Sequence, residues 1–323
     1  MKPTRVFFAS DIHGSDATFR KFVNAARFYG ADTLVFGGDL MGKALVPIVE
    51  QAGGGHMAEL QGITHRADDP DSLRALQKKV QDTGSYWEVM GPDRYESLAE
   101  DEFELVRLFQ RLASERLRAW VAFAEERLGD SPIRCYLTGG NDDDPDVLSV
   151  LDDAASTDHV VASEHRVVEL DAEHTMITIG YSTPTPWNTQ REATEEEIAA
   201  AIEDSMAAVP DPSRCVFNVH VPPIGSGLDR CVKIDTSTDP PTPVMVGGRP
   251  EYTRGGSQAV LDAIRAYQPA VGLHGHIHES PGRIRYGRTK CFNPGSEYGQ
   301  GILNGVLLSL KRGEITSYQH TVG

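Results

Sequence analysis

The sequence lacks any uninterrupted apolar segment of about 18 residues, the length that a membrane-spanning helix requires. The apolar run near the N-terminus, Val6 to Ala9, is too short for the core of a signal peptide, and no small-residue cleavage site precedes the first polar motif. The composition, 40% hydrophobic and 24% charged over 323 residues, is typical of a globular protein. These features predict a cytoplasmic protein that has no contact with a membrane.

Positive charge is also scarce, because 31 lysines and arginines stand against 47 aspartates and glutamates, for a formal net charge of -16. Such a surface repels nucleic acid, and a small phosphorylated substrate attracted by a local cluster of cations is the partner that fits it better. The four cysteines contain no C-x-x-C pair and predict buried thiols rather than a disulfide framework. They are Cys135, Cys215, Cys231 and Cys291.

The first part of the chain reads as a strand, a helix and a second strand. An apolar run from Arg5 to Ser10 predicts the first strand, and Ser15 or Asp16 can cap a helix that ends at Gly30. The run from Asp32 to Phe36 predicts the second strand. This order implies two parallel strands joined by a crossover helix, which is typical of an α/β fold.

Residues 44–131 differ in character and predict a mostly helical insertion, or cap, within a single domain of residues 1–323. Apolar residues recur at three- and four-residue steps from Leu98 to Leu128, which predicts one long helix packed onto the main domain. The members of this apolar stripe are Phe103, Val106, Phe109, Leu117, Trp120, Ala124 and Leu128.

The strand pattern resumes at Ile133, and the rest of the chain predicts further strands, two helices and a long loop. The predicted strands are Val160–Val161, Val167–Leu170, Thr175–Ile179, Cys215–His220, Ala270–Leu273, Thr289–Phe292, Ile302–Leu310 and Glu314–His320, the last two forming a hairpin. The predicted helices are Glu195–Ala208 and Ser257–Tyr267. The stretch from Pro222 to Gly256 is rich in proline and glycine and reads as a functional loop.

Five short polar motifs each follow an apolar, strand-like run. They are Asp11-Ile-His13, Gly38-Asp39, Gly140-Asn141-Asp142, Asn218-Val-His220 and Gly275-His276-Ile-His278. Because the carboxyl ends of parallel strands meet at one edge of a sheet, we expect these side chains to converge. Each motif alone is a weak signal, so the prediction depends on their joint occurrence in this order and on three histidines within five residues.

The ligand types point to a pair of divalent metal ions. Imidazole, carboxylate and amide groups suit Mn, Fe, Ni, Co or Zn, and the absence of a thiolate argues against a structural zinc site. Seven candidate ligands exceed the needs of one ion and fit two ions with a bridging carboxylate. Two such ions can hold a hydroxide between them and clamp the oxygens of a displacement at phosphorus.

The ordered motifs resemble those of the calcineurin-like metallophosphoesterase superfamily: D-x-H, G-D, G-N-H-D/E, a histidine after a strand, and G-H-x-H. The resemblance covers about residues 5–43 and 133–320, includes Asn293-Pro-Gly-Ser296, and leaves out the insertion. It implies a four-layered α/β/β/α sandwich and an enzyme that hydrolyses a phosphate ester, a phosphodiesterase or a phosphatase.

The resemblance also implies roles for single residues. One metal would be bound by Asp11, His13, Asp39 and His278. The other would be bound by Asp39, Asn141, His220 and His276. Asp39 would bridge the two metals, of which manganese is favoured, and Asn141 and Asp142 would join it in catalysis. His274 is not a ligand in the family pattern.

One position departs from the family pattern, which has a histidine after the asparagine where this chain has Asp142. That histidine contacts the phosphate and can protonate the leaving group, and a carboxylate is a poor substitute beside an anion. Four cationic or titratable residues could replace it, although each also reads as an ordinary surface residue. They are Lys43, His56, His65 and Arg254.

Three functions remain open at this point. A metal-dependent phosphoesterase, with a phosphodiesterase favoured over a phosphatase, accounts for the complete ligand set. A catalytically weak binding or scaffold protein accounts for Asp142 and predicts an exposed apolar surface for a partner, with the insertion as the expected place for it. A nuclease is the least favoured, because the chain is acidic and has no lysine- or arginine-rich run.

Overall fold

The computed structural model describes residues 2–153 and 157–323 of the chain. The helices in these residues are α1 (Asp16–Tyr29), α2 (Pro70–Asp82), α3 (Pro92–Glu100), α4 (Glu102–Leu128), α5 (Pro145–Asp153), α6 (Glu195–Met206) and α7 (Gln258–Tyr267). The strands of the first half are β1 (Thr4–Ala9), β2 (Thr33–Phe36), β3 (Leu45–Glu50), β4 (His56–Leu60), β5 (Ile63–Ala67), β6 (Tyr86–Met90), β7 (Arg134–Leu137), β8 (Val160–Ala162), β9 (Val168–Glu169) and β10 (Thr175–Ile179). Those of the second half are β11 (Cys215–Val219), β12 (Arg230–Val232), β13 (Ile234–Asp235), β14 (Thr242–Pro243), β15 (Met245–Val246), β16 (Arg249–Pro250), β17 (Tyr252–Arg254), β18 (Val271–Leu273), β19 (Gly282–Tyr286), β20 (Thr289–Asn293), β21 (Asn304–Lys311) and β22 (Glu314–Val322).

Two six-stranded sheets lie face to face at the centre of the molecule. Their strand orders are β22-β21-β1-β2-β7-β8 and β19-β20-β18-β11-β10-β9. Side chains alternate along each strand, so Val6 and Phe8 of β1 share the inner core with Val216 of β11 and Leu273 of β18. Because helices cover the outer faces as well, the central strands are apolar on both sides and appear in the sequence as continuous apolar runs.

Helices form the two outer layers. Phe7, which alternates with Val6 and Phe8 on β1, belongs to a second core cluster together with Trp120 of α4. On the far side, Phe217 of β11 clusters with Ile198 of α6 and Val260 of α7. The α/β/β/α order of layers implied by the resemblance to calcineurin-like metallophosphoesterases is therefore confirmed.

Parallel pairing directs the strands of both sheets toward one edge. β1, β2 and β7 are parallel neighbours, and so are β10, β11, β18 and β20. The expected crossover helix α1 begins at Ser15, whose hydroxyl accepts from Thr18 N at 3.4 Å, and ends at Gly30, where φ is 60°. The residues that follow β1, β2, β7, β11 and β18 meet at this edge, which we call the rim.

The segment 44–131, for which a mostly helical insertion is expected, contains α2, α3 and α4 and also a sheet that the sequence does not predict. This sheet has the strand order β5-β4-β3-β6. Its inner face packs on α2, since Ile48 and Val80 belong to one buried cluster. The polar middle of the insertion thus folds as a small α+β unit.

The single helix expected from Leu98 to Leu128 is two helices. Asp101 follows α3, and its side chain accepts from Glu104 N at 2.9 Å, which starts α4 anew. The apolar stripe packs onto the main domain only in its second half, because Trp120 is buried whereas Phe103 is 81% exposed. The expectation of one long, fully packed helix is wrong in these two respects.

The terminal hairpin of β21 and β22 matches its prediction. The stretch from Pro222 to Gly256 was expected to be a loop, and it contains six short strands, which pair as β12 with β17, β13 with β14 and β15 with β16. No helix among the described residues is long and apolar enough to cross a membrane. The cytoplasmic location stays a prediction.

Candidate metal centre

The polar motifs come together at the rim as two groups of buried and half-buried side chains. In each group the candidate ligand atoms lie within 4.8 Å of one another. The first group is Asp11, His13, Asp39 and His278, and the second is Asp39, His220 and His276. The remaining expected ligand, Asn141, lies against the second group. Asp39 belongs to both groups, as a bridging carboxylate would.

Several candidate ligands have a strained backbone conformation. Four of them adopt the left-handed region, with φ of 58° at Asp11, 40° at His13, 54° at Asp39 and 67° at His276. Such conformations cost free energy and persist where the surrounding structure enforces them. Gly140 leaves the space that Asp39 needs, because a Cβ atom at residue 140 would lie 2.1 Å from Asp39 Oδ1. The glycines of the motifs therefore let two loops approach each other closely.

In the first group, two ring nitrogens face each other at hydrogen-bonding distance. His13 Nε2 is 2.9 Å from His278 Nε2 and 3.6 Å from Asp39 Oδ2, and His278 Nε2 is 3.5 Å from Asp11 Oδ1. The other ring nitrogen of His13, Nδ1, is buried and has no hydrogen-bond partner among the described residues. Two imidazole lone pairs at this separation repel each other unless a proton or a cation lies between them.

In the second group, neighbouring hydrogen bonds fix which atoms point inward. His220 Nδ1 donates to the Gly37 carbonyl at 2.8 Å, so Nε2 turns toward Asp39 Oδ1 at 3.4 Å and Asn141 Oδ1 at 3.1 Å. The Asn141 amide nitrogen donates to Thr189 Oγ1 at 2.9 Å, which leaves its carbonyl oxygen facing His220. Two oxygen acceptors, from Asp39 and Asn141, therefore converge on one ring nitrogen.

The electrostatics of the rim depend on burial and on the Asp39 carboxylate. Burial raises the pKa of Asp39, but the neighbouring His220 and His13 outweigh it and hold the pKa well below its usual range. Burial lowers the pKa of His220, but Asp39 reverses the effect and raises it to about 9. Burial and the charge of His220 lower the pKa of His276 to about 4. The second group therefore contains an ionised Asp39 carboxylate, a neutral His276 and a protonated His220, whose inward proton a bound cation would displace.

Asp143 supports the centre and is missing from the sequence-based set. Its carboxylate accepts from the backbone N–H groups of Leu40 at 2.9 Å, Met41 at 2.7 Å and Gly140 at 2.6 Å. Burial and the charge of Asp39 raise its pKa to about 7, against these hydrogen bonds. Asp143 occupies the final acidic position of the G-N-H-D/E pattern, so the signal was present although no role was attached to it.

Asp142 stands at the open edge of the centre. Its Oδ2 is 3.8 Å from His13 Nδ1, and its carboxylate forms an ion pair with the half-exposed Lys43. Burial and Asp39 raise the pKa of Asp142 to about 6, although Lys43 opposes the shift. The centroid of the Tyr298 ring lies 4.7 Å from that of the His13 ring, so Tyr298 forms another side of the centre. Sequence reasoning did not single out Tyr298.

Lys43 is the one residue of the four proposed histidine replacements that contacts Asp142. His56 and His65 lie on β4 and β5 of the insertion sheet, where the His65 ring faces Lys79 at 3.3 Å. Arg254 ends β17 in the region after Pro222. His274 is buried behind the rim, where its Nδ1 donates to Val219 O at 2.8 Å, and it belongs to neither ligand group.

No protein-family model and no curated protein sequence matches the chain. One solved structure is similar over 99% of this chain and 98% of its own, with a TM-score of 0.59 and 16% sequence identity. TT1561 of Thermus thermophilus is similar over 99% and 98%, with a TM-score of 0.53 and 13% identity. At these identities the likeness shows a shared fold alone. YfcE, a phosphoesterase from E. coli, aligns at a TM-score of 0.31 and 13% identity over 98% of each chain, which carries no argument about activity.

The donor set at the rim fits divalent cations. Carboxylate, imidazole and amide oxygen or nitrogen atoms converge from both sides, and no cysteine takes part among the described residues. His13 Nε2 faces His278 Nε2, and the Asp39 carboxylate and the Asn141 carbonyl oxygen face His220 Nε2, so a cation bound there would take the place of the protons that these contacts share. These Asp and His groups could therefore hold metal ions.

Proposed function

We propose that this protein is a dinuclear metal-dependent phosphodiesterase that acts on a small phosphorylated substrate. The observation that carries the proposal is the position of Asp39 between two ligand groups. Its Oδ1 is 3.4 Å from His220 Nε2 in one group, and its Oδ2 is 3.6 Å from His13 Nε2 in the other. One carboxylate with its two oxygens directed at different groups is suited to bridging two ions, for which manganese is the favoured metal.

Two divalent cations bound at these groups would supply Lewis acidity at the phosphoryl oxygens and lower the pKa of a water molecule. The chain itself positions the ligands and excludes solvent. Asp143 fixes the loops that carry Asp39 and Asn141 through its three backbone hydrogen bonds. Thr189 orients the Asn141 amide. A nucleophilic serine or cysteine is not required.

Lys43 supplies positive charge where the family pattern has histidine. Its ammonium group is paired with Asp142 at the open edge, and an incoming phosphate would compete for it. Asp142 disfavours a dianionic phosphate monoester more strongly than a monoanionic diester, because like charges repel at short range. This balance of charges supports a diester as the preferred substrate.

A binding or scaffold role is the second candidate, and exposed apolar side chains on the insertion favour it. Phe103 is 81% exposed and Val106 48% exposed on α4, and Tyr95 of α3 is 45% exposed nearby in sequence. Under this alternative Asp142 would limit catalysis, and the insertion would contact a partner protein.

The deciding experiment is hydrolysis of bis(p-nitrophenyl) phosphate by protein of measured metal content, with and without Mn²⁺. We expect metal-dependent turnover, a preference over p-nitrophenyl phosphate, and a loss of kcat/KM of about a thousandfold or more in Asp39→Asn. Asp171→Asn is the matched control, because Asp171 also pairs with a buried histidine but lies away from the rim. No turnover from protein with two bound metals per chain would favour the scaffold role.

A further inference from the structure

A cleft of about 520 Å³ opens next to Asp142 and Lys43, which form one of its walls. This volume lies in the range of small-molecule sites. The other walls come from α4 of the insertion, from α5 and from the segment 187–190 that follows β10. The lining side chains that matter for its chemistry are Met41, Phe109, Ala113, Val147, Trp187 and Asp144.

Two aromatic side chains give the cleft its apolar character. Trp187 is 57% exposed, which is unusual for so large an apolar side chain beside a polar centre. Phe109 is half-buried and held edge-on against the Tyr86 ring, with a centroid distance of 5.0 Å. A planar group that entered the cleft would remove apolar surface of both rings from water.

Two hydrogen bonds connect residues that line the cleft with residues of the candidate metal centre. Asp142, which lines it, donates its backbone N–H to Asp39 Oδ1 at 3.1 Å. Thr189, also a lining residue, accepts from the Asn141 amide at 2.9 Å. A phosphate bound at the rim would therefore direct one of its ester groups into the cleft.

The charges of the cleft restrict what that ester group can be. Among the described residues that line it, Lys43 is the one cation, and it is paired with Asp142. Asp144 adds a carboxylate that accepts from Gln110 Nε2 at 2.8 Å and has no cationic partner among the described residues. A second phosphate would meet this carboxylate, whereas a neutral group would not.

We infer that this cleft receives a neutral, planar aromatic ester group of the substrate, with Trp187 as the residue that selects it. The inference rests on the proposed phosphodiesterase function and names the class of substrate: phosphodiesters with one phosphate and an aromatic ester group. Polyphosphates and short alkyl esters are the classes that the cleft discriminates against.

The test uses two phosphinates, which carry the same charge as a diester but have no ester bond to cleave. Binding of diphenylphosphinate and of dimethylphosphinate to Mn²⁺-loaded protein is measured by calorimetry. We expect wild type to bind the diphenyl compound at least about tenfold more tightly. Trp187→Ala should reduce this preference by about tenfold with little change for dimethylphosphinate, and Trp187→Phe should restore part of it. Phe28→Ala, which removes an aromatic side chain that is 81% exposed on α1, is the matched control.

Equal affinities for the two phosphinates, or a preference that Trp187→Ala leaves unchanged, would overturn the inference. Turnover of bis(p-nitrophenyl) phosphate is measured on the same samples and reports separately on the proposed function. Turnover without a diphenyl preference would overturn the inference alone. A Trp187-dependent preference without turnover would support the cleft and count against hydrolysis.

Discussion

The two ends of the sandwich contain the same types of residue, aspartate and histidine, in very different states. At the end opposite to the rim, Asp171 and His174 precede β10 and approach the start of β1. His174 Nδ1 donates to Asp171 Oδ2 at 2.8 Å, and His174 Nε2 accepts from Gly313 N at 3.0 Å. Asp171 also accepts from the Thr4 hydroxyl. Both ring nitrogens of this buried histidine have partners.

At the rim, His13 is paired differently. His13 Nδ1 is buried without a hydrogen bond among the described residues, and its Nε2 faces another ring nitrogen, that of His278. Unpaired buried polar atoms are costly, and proteins keep them where function requires them. The comparison teaches that proximity of aspartate and histidine does not define a metal site. The rim differs from the opposite end because several carboxylate and imidazole groups converge there around a shared Asp39, and because His13 Nδ1 is left without a hydrogen-bond partner among the described residues.

The largest effect is expected from removal of the metal, which should affect the rim and not the opposite end. Chelation should abolish turnover, and Mn²⁺ at about 100 times its Kd should return roughly 2.7 kcal/mol of stability per site, because cations bind the folded rim alone. Metal analysis, turnover and thermal unfolding of the chelated and reloaded protein measure this. An unchanged melting temperature on reloading would contradict the assignment of the rim as the metal-binding end.

The next largest effect is expected at Asp143, which is not itself a candidate metal ligand. Asp143→Ala leaves three backbone N–H groups unsatisfied next to Asp39. We expect a loss of roughly 2–4 kcal/mol in the free energy of unfolding and a 10- to 100-fold weaker Mn²⁺ affinity. Denaturant unfolding and metal titration are the measurements. Asp143→Asn retains an acceptor oxygen and should lose less of both. Equal affinities in wild type and Asp143→Ala would show that the loops need no such anchor.

Much of the main domain could be predicted because its central strands are buried on both faces. β1, β2 and β11 appear as short apolar runs that end in polar motifs, and topology brings those motifs to one rim. Edge and insertion strands have weaker signals. β19 was not predicted, because its arginines and half-buried apolar residues alternate along an exposed edge. The insertion sheet was not predicted either, since its strands are short and partly exposed.

The sequence predicts which side chains meet at the rim, but it does not predict the contacts that they make there. The sequence shows Asp142 in the histidine position, but it does not show that Lys43 reaches it. The role of Asp143 depends on Leu40 and Met41, which lie about a hundred residues earlier in the chain. The sequence places Trp187 in a loop, and only the structure shows that it lines a cleft together with α4. Each of these roles arises from tertiary packing between segments that the sequence separates.

The smallest effect belongs to the opposite end and carries a pH signature. Burial raises the pKa of Asp171, but hydrogen bonds from Thr4 and His174 outweigh it and leave the pKa below its ordinary value of 3.8. The carboxylate therefore contributes stability above about pH 4, and this contribution is lost as the pH falls through the lowered pKa. Asp171→Asn should cost about 1–2 kcal/mol at pH 7 and progressively less below pH 4.

Thermal unfolding of wild type and Asp171→Asn from pH 7 to about pH 3 measures this difference, because the titration of other groups is common to both proteins. Turnover and Mn²⁺ affinity should stay within about twofold of wild type, since Asp171 contacts the start of β1 whereas the proposed ligands Asp11 and His13 follow the end of that strand. A loss of metal binding in this variant would mean that the two ends are coupled through β1. In that case the contacts at the opposite end would help to position the proposed metal ligands and would not be an independent structural feature.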